Sequence, residues 1–170
     1  MIFLALGSNL PSKFGNRFRN IELAINYLQK YKIELVKKSS YYETLSYPDK
    51  KKPKFINIVV GINTNLRPVE LASVILKIED KLERKREKKN DPRTCDIDII
   101  DFDGQILNFK YKNLSFVVPH EQAIYRNFVL YPLQEISAKW KHPKTNDFIN
   151  ILIERLAKED KNSILKIEKS

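Results

Sequence analysis

The stretch Asp96-Ile97-Asp98-Ile99-Ile100 sets two carboxylates into a run whose other residues ask to be a buried β-strand. It constrains the fold more than any other segment, because a strand satisfies both demands at once. Residues two apart on a strand share a face, with Cα atoms roughly 6–7 Å apart. Asp96 and Asp98 therefore project together, while Ile97 and Ile99 turn towards a core on the opposite side. Two like charges this close raise each other's pKa unless a cation lies between them. Hard divalent cations, Mg²⁺ above all, prefer carboxylate oxygens and usually share their shell with substrate phosphates. An acidic, solvated strand face gives the same pattern, so the pair does not decide function by itself.

The neighbours narrow the choice. Arg93 stands three residues before Asp96, set by Pro92, and Arg84, Lys85, Arg86, Lys88 and Lys89 precede it. The arginine fork donates two parallel hydrogen bonds to phosphate oxygens. Acids that hold a metal beside bases that hold phosphate are the parts of a phosphoryl-transfer site. No Walker motif and no GxGxxG is present, so ATP would be handled outside those two architectures.

Along the chain, Ile2 to Leu6 reads as a buried strand closed by a Gly7-Ser8-Asn9 turn. A helix is expected from Arg17 to Tyr31, with Phe18, Ile21, Ile25 and Leu28 on one face. Strands follow over Ile33 to Thr44 and Phe55 to Thr64. Pro68 opens a second helix, whose apolar stripe is Leu71, Val74, Ile75, Ile78 and Leu82 and which runs into the basic stretch Lys81 to Lys89. The strand Asp96 to Phe102 turns at Asp103-Gly104, with a short return over Gln105 to Leu107. Helices near Asn127 to Ile136 and Asp147 to Leu156 come last, and the tail beyond Lys158 is polar and expected to fray. The first hundred residues thus read β-α-β-β-α-β. The fold expected is α+β, a ferredoxin-like βαββαβ core with a C-terminal helical and strand extension. One domain is expected over residues 1–158, with 159–170 as a tail.

Composition excludes more than it selects. Cys95 is the lone cysteine, and His120 and His142 fit no metal-ligand spacing with it, so a disulfide framework and a zinc site are set aside. The first ten residues are apolar but lack a basic region and a cleavage site, and are too short to span a bilayer. A cytoplasmic protein is expected. The net charge of +10 asks for an acidic partner.

Six ordered blocks then point to a family. They are Leu6-Gly7-Ser8-Asn9-Leu10, Ser40-Tyr41-Tyr42-Glu43-Thr44, Phe55-Ile56-Asn57, Ile78-Glu79 with Arg84 and Arg86, Pro92 to Ile99, and Val118-Pro119-His120 with Arg126 and Phe128. Together they resemble 6-hydroxymethyl-7,8-dihydropterin pyrophosphokinase, the folate-pathway enzyme that transfers pyrophosphate from ATP to a pterin alcohol. The resemblance runs from about Ile2 to Leu156. It implies that Asp96 and Asp98 bind two Mg²⁺ ions and that Arg84 and Arg93 grip the transferring phosphates. Glu79, Arg86, Ile99, His120 and Arg126 would serve the ATP. Phe55 and Phe128 would stack on the pterin and Asn57 would read its edge. The backbone of Thr44 and Leu45 would line that pocket, and Gly7 would allow close approach. ATP and the pterin are the partners implied, with no nucleic acid and no membrane, the protein acting as a monomer. The chain departs from the family pattern at Asn90 and Asp91, where tryptophan and glycine are usual, and at Leu45, where proline is usual.

A nucleic-acid-binding module is the alternative of another class, since ferredoxin-like sheets often present aromatic residues to RNA. It gives no reason for Asp96 and Asp98. A related Mg²⁺-dependent phosphotransferase acting on another alcohol is the second alternative.

Overall fold

Five β-branched or leucine side chains on alternate positions of two neighbouring strands seed the molecule: Leu4 and Leu6 beside Ile56, Ile58 and Val60, all buried. The computed structural model describes residues 1–169 and builds a mixed α/β fold around that pair. β1 (Ile2–Ser8) lies between β4 (Phe55–Asn63) and β5 (Asp96–Phe102), antiparallel to both. The other edge of β4 carries two consecutive segments, β2 (Glu34–Lys38) and β3 (Tyr41–Thr44). β8 (Leu165–Ile167) pairs with β3 and completes a six-stranded sheet. A separate hairpin joins β6 (Leu107–Tyr111) to β7 (Leu114–Val118).

Two layers of helix cover the sheet. On one face α1 (Arg17–Lys30) and α2 (Pro68–Lys81) bury Phe18, Ile21, Leu28, Leu71, Ile75 and Ile78 against alternate residues of β1, β4 and β5. Asn16 caps α1 by accepting the Arg19 N–H at 3.0 Å. Pro68 occupies the first turn of α2, where its missing N–H costs nothing. On the other face α3 (Asn127–Ile136) and α4 (Ile149–Glu154) pack Val129, Leu130, Leu133 and Leu152 on Phe3, Val59 and Ile100. The short helix α5 (Lys158–Asn162) leads into β8.

Pairing register sets the site. Gly7 stands opposite Asp96 on one side and Asn57 on the other, and Asn57 stands opposite Tyr42. Asp96, Gly7, Asn57 and Tyr42 thus form one row across four strands. A β-bulge in β5, opposite Phe3 and Leu4, then brings Ile100 and Asp101 to the α3 side together. Asp101 is a third acid of the strand and serves the structure, since its buried carboxylate accepts the Trp140 Nε1–H and the Gly104 N–H, both at 2.8 Å.

Several elements differ from expectation. The strand expected over Ile33 to Thr44 breaks at Ser39-Ser40, where the Ser39 hydroxyl accepts the Val59 N–H at 3.0 Å in place of a ladder carbonyl. The expected return over Gln105 to Leu107 is instead β6, which pairs with β7 and not with β5. The β6–β7 turn places Lys112 and Asn113 at positive φ, as the twist of a two-residue hairpin requires. α2 stops at Lys81, so the basic residues that follow lie on a loop. The last helix is shorter than Asp147 to Leu156. Residues 158–167 do not fray but form α5 and β8. Among the described residues no helix is long and apolar enough to cross a membrane.

Candidate active site

A cleft of about 1120 Å³ lies over the row that holds Asp96, Gly7 and Asn57, and every candidate site residue expected from the sequence lines it. The placement follows from local rules. β5 alternates, so Ile97 and Ile99 enter the core with α1 and α2 while Asp96 and Asp98 face the cleft. Ile99 is nearly buried yet reaches the cleft wall.

One end of the cleft is ionic. Glu83 takes a positive φ just past α2, and the Arg84 N–H donates back to the Glu79 carbonyl at 3.0 Å. That turn returns the Arg84 side chain over its own helix end. Its Nη1 lies 2.6 Å from Glu79 Oε1 and 2.5 Å from Asp96 Oδ1. Glu79 is buried and also accepts from Arg86 and from the Ile97 N–H, the latter at 2.9 Å. Arg93 Nη1 stands 3.3 Å from Asp96 Oδ2, and Arg126 Nη1 stands 3.5 Å from Asp98 Oδ2. Guanidinium groups therefore reach both strand acids.

Compensation is unequal. Burial works against ionisation of Asp96, but Arg84 and Arg93 hold its carboxyl below the usual carboxylate range. For Asp98, burial and then the Asp96 charge push the carboxyl up, and His120, Arg126 and Arg84 offset only part of this. Burial pushes Glu79 up to about 7, with Arg84 opposing. On the donor side, Arg84 Nε and Arg93 Nε are buried with no hydrogen-bond partner among the described residues. Buried charged donors left unmatched suit an anionic ligand with several oxygens.

The other end is aromatic and polar. Phe55 and Phe128 are partly buried, and each has an arginine over its ring, Arg93 at 5.4 Å and Arg126 at 5.5 Å from the centroids. Two of the three arginines that contact the strand acids, Arg93 and Arg126, thus also touch the two aromatic rings. Asn57 donates to Thr44 Oγ1 at 2.9 Å and to the Tyr42 carbonyl at 3.4 Å. With its amide hydrogens so used, its Oδ1 remains as an acceptor. A Cβ placed on Gly7 would lie 3.2 Å from that oxygen and 3.5 Å from Phe55, which explains a glycine there.

Some residues that shape the site are not read as site residues from the sequence. Asn9, read as part of a turn, is buried: its Oδ1 accepts the Arg93 N–H at 2.7 Å, and its Nδ2 donates to Ser46 Oγ and to the Pro53 carbonyl. The Arg93 carbonyl accepts the N–H groups of Asn9 and Leu10 in return. Asn9 so joins the loop before β5 to the loop before β4. Glu159, Asp160 and Ser163 also line the cleft, from a segment expected to be a tail. Cys95 and His142 lie outside the cleft lining. Burial pushes the Cys95 thiol well up, which leaves it a poor nucleophile. His142 is buried beside Trp140 and accepts the Thr145 N–H through Nδ1.

Residues 3–139 match the family model of 7,8-dihydro-6-hydroxymethylpterin-pyrophosphokinase. The chain is 38% identical over 137 residues to the 2-amino-4-hydroxy-6-hydroxymethyldihydropteridine pyrophosphokinase of Bacillus subtilis, covering 79% of this chain and 76% of that protein. It is 34% identical over 142 residues to the protein of the same name from Aquifex aeolicus, covering 84% and 83%. It is also 33% identical over 164 residues to the folic acid synthesis protein fol1 of Pneumocystis carinii. That match covers 96% of this chain but only 21% of the longer protein. Of the bifunctional protein FolKE of Lactococcus lactis, too, the chain spans only a part, 37%. Among solved structures, a Plasmodium falciparum HPPK-DHPS crystal structure with pteroate superposes with a TM-score of 0.76. It covers 98% of this chain and 46% of that one at 16% identity, a likeness of fold.

Proposed function

The chain belongs to the 7,8-dihydro-6-hydroxymethylpterin-pyrophosphokinase family, and on that premise we propose that it transfers pyrophosphate from ATP to the hydroxymethyl group of 6-hydroxymethyl-7,8-dihydropterin. AMP and the pterin diphosphate are the products, a step of folate synthesis. The observation that carries the proposal is one cleft in which Asp96 and Asp98 stand among Arg84, Arg93 and Arg126 beside an aromatic end with Asn57 at its base.

In this reading ATP lies along the ionic end. Arg84 and Arg93 turn their unmatched donors to phosphate oxygens, with Arg86, His120 and Arg126 beside them. Glu79 and the backbone of Ile99 serve the nucleotide. The pterin, flat and rich in donors and acceptors at its rim, stacks between Phe55 and Phe128. The Oδ1 of Asn57 accepts from its edge, and the backbone around Thr44 and Leu45 closes the pocket. The hydroxymethyl oxygen attacks the β-phosphorus and the bond from that phosphorus to the α-phosphate oxygen breaks. AMP leaves, and the hydroxyl proton passes to solvent. Such a transfer needs position and charge compensation more than covalent help from the protein. Arg84 and Arg93 stabilise charge as it moves between phosphates.

Asp96 and Asp98 suit Mg²⁺ through hard oxygen donors on one strand face. Among the described residues no cluster of three or more His, Cys, Asp or Glu could hold a metal alone, so phosphate oxygens and water must complete the shell. Two ions are expected; when bound they would neutralise phosphate charge and acidify the attacking hydroxyl.

The strand and helix order from β1 to β5, with β2 and β3 taken as one broken strand, is read as a ferredoxin-like core. The hairpin and the later helices are additions to it. A single domain, which the sequence alone would end at residue 158 and which α5 and β8 carry on to Ile167, a monomer and a cytoplasmic location complete the proposal.

The test is AMP release from Mg-ATP with and without the pterin, with the product weighed by mass spectrometry. AMP that appears only with the pterin, together with a pterin diphosphate, is the expected result. ATP binding without AMP release in the presence of the pterin would reject the reading. Gly7→Ala is expected to raise the pterin dissociation constant about tenfold, some 1.4 kcal/mol, because its methyl displaces Asn57 Oδ1. Titration of pterin fluorescence measures this, and an unchanged constant would remove Asn57 from acceptor recognition.

A further inference from the structure

Residues 158–167 reach both walls of the cleft's aromatic end. On one wall Asn127, buried at the start of α3 and next to Phe128, donates through Nδ2 to the Asp160 carbonyl at 2.7 Å and to Ser163 Oγ at 3.2 Å. On the other wall β8 pairs with β3, setting Leu165 opposite Glu43, Lys166 opposite Tyr42 and Ile167 opposite Tyr41. Thr44, the next residue of β3, holds Asn57. Glu159 pairs with Lys50, which lies on the loop between β3 and β4. All of this segment lies beyond residues 3–139, the stretch that matches the family model.

The weights of these contacts differ. The Lys50–Glu159 and Lys166–Glu135 pairs are exposed and contribute little. The amide of Asn127 is different, because a buried donor that loses its acceptor bears the cost of desolvation. A five-residue helix and a three-residue strand have no stability of their own. Their order comes from the two walls they join.

We propose that residues 158–167 form a strap that belongs to the acceptor site. It ties Asn127 to Asp160 and Ser163 and adds β8 to β3, fixing Phe128 relative to the wall that carries Thr44 and Asn57. The strap therefore sets affinity for the flat acceptor and makes no contact with the Arg84, Glu79 and Asp96 cluster that anchors the ionic end. Asn127 acts as a positioning residue, through its neighbour Phe128. The inference rests on the pterin reading of the aromatic end.

The experiment compares the intact chain with Asn127→Asp and with a chain ending at Ala157. Asn127→Asp keeps the shape but loses the N–H donor and turns a carboxylate towards a carbonyl. Pterin binding is read by fluorescence, and nucleotide binding by calorimetry with a non-hydrolysable ATP analogue. Both altered chains are expected to bind the pterin about tenfold more weakly while nucleotide affinity stays within about twofold. Equal losses for both ligands, or no loss of pterin affinity in Asn127→Asp, would overturn the strap. An intact chain that binds the nucleotide analogue but no pterin would overturn the acceptor reading itself, and the strap with it.

Discussion

Asp96→Ala is expected to lower kcat by at least about 10³-fold while the pterin dissociation constant moves by less than about twofold. The asymmetry follows from where the residue sits. Asp96 projects from β5 into the ionic end, 2.5 Å from Arg84 and 3.3 Å from Arg93. Asn57, the edge reader of the proposed pterin pocket, lies two strands away. Removing the carboxylate removes one of two strand oxygen donors suited to the metal, and metal-assisted charge stabilisation is worth several kcal/mol. At 1.36 kcal/mol per tenfold, three powers of ten is the modest end of that range. The fold should survive. Ile97 and Ile99 still fill the core, and Arg84 keeps Glu79 as a partner. Single-turnover rates and pterin titrations on the same folded sample test this, and a kcat near that of the parent would place the chemistry elsewhere.

Glu79→Ala is expected to cost stability as well as activity. Glu79 is 2% exposed and gathers three donors, from Arg84, Arg86 and the Ile97 N–H. Truncation leaves the Arg84 guanidinium buried with Asp96 alone and strips the Ile97 N–H of its acceptor. Breaking a buried ion pair in this way costs about 3–5 kcal/mol, or roughly 10 °C of melting temperature in a chain of this size. Nucleotide affinity should fall more than tenfold with it, since Arg84 loses the group that aims it. Glu79→Gln keeps an acceptor for Ile97 and should lose less stability than Glu79→Ala. Urea unfolding of the three proteins decides the matter. An alanine variant as stable as the parent would show that the cluster carries no structural load.

Much of this arrangement was legible in the chain, and the gaps have physical reasons. Alternation in Asp96-Ile97-Asp98-Ile99 separated cleft from core because a strand has one period and two faces. α3 keeps the bounds read from its pattern, Asn127 to Ile136, despite Pro132 within it. The break at Ser39-Ser40 was not legible, because a hydroxyl standing in for a carbonyl leaves no mark on hydrophobic pattern. β8 was missed since a three-residue edge strand with a lysine at its centre, set in a charged C-terminal stretch, looks like any polar tail. Within the site, charged and aromatic candidates surfaced through their spacing and through family resemblance. Asn9 and Asn127 did not, because a buried amide is defined by partners up to 84 residues away in sequence.

The row formed by Asp96, Gly7 and Asn57 has a consequence for how such a chain tolerates length change. Adjacent strands are about 4.8 Å apart, so Asp96 and the Asn57 amide are held about 10 Å apart by backbone ladders alone. None of the three loops around the cleft, before β4, before β5 and after the β6–β7 hairpin, takes part in that spacing. Grafting longer or shorter loops onto this sheet, with Arg84, Arg93 and the bonds of Asn9 kept, should retune ligand affinity while the spacing between Asp96 and Asn57 stays fixed, which opens the fold to chimeras.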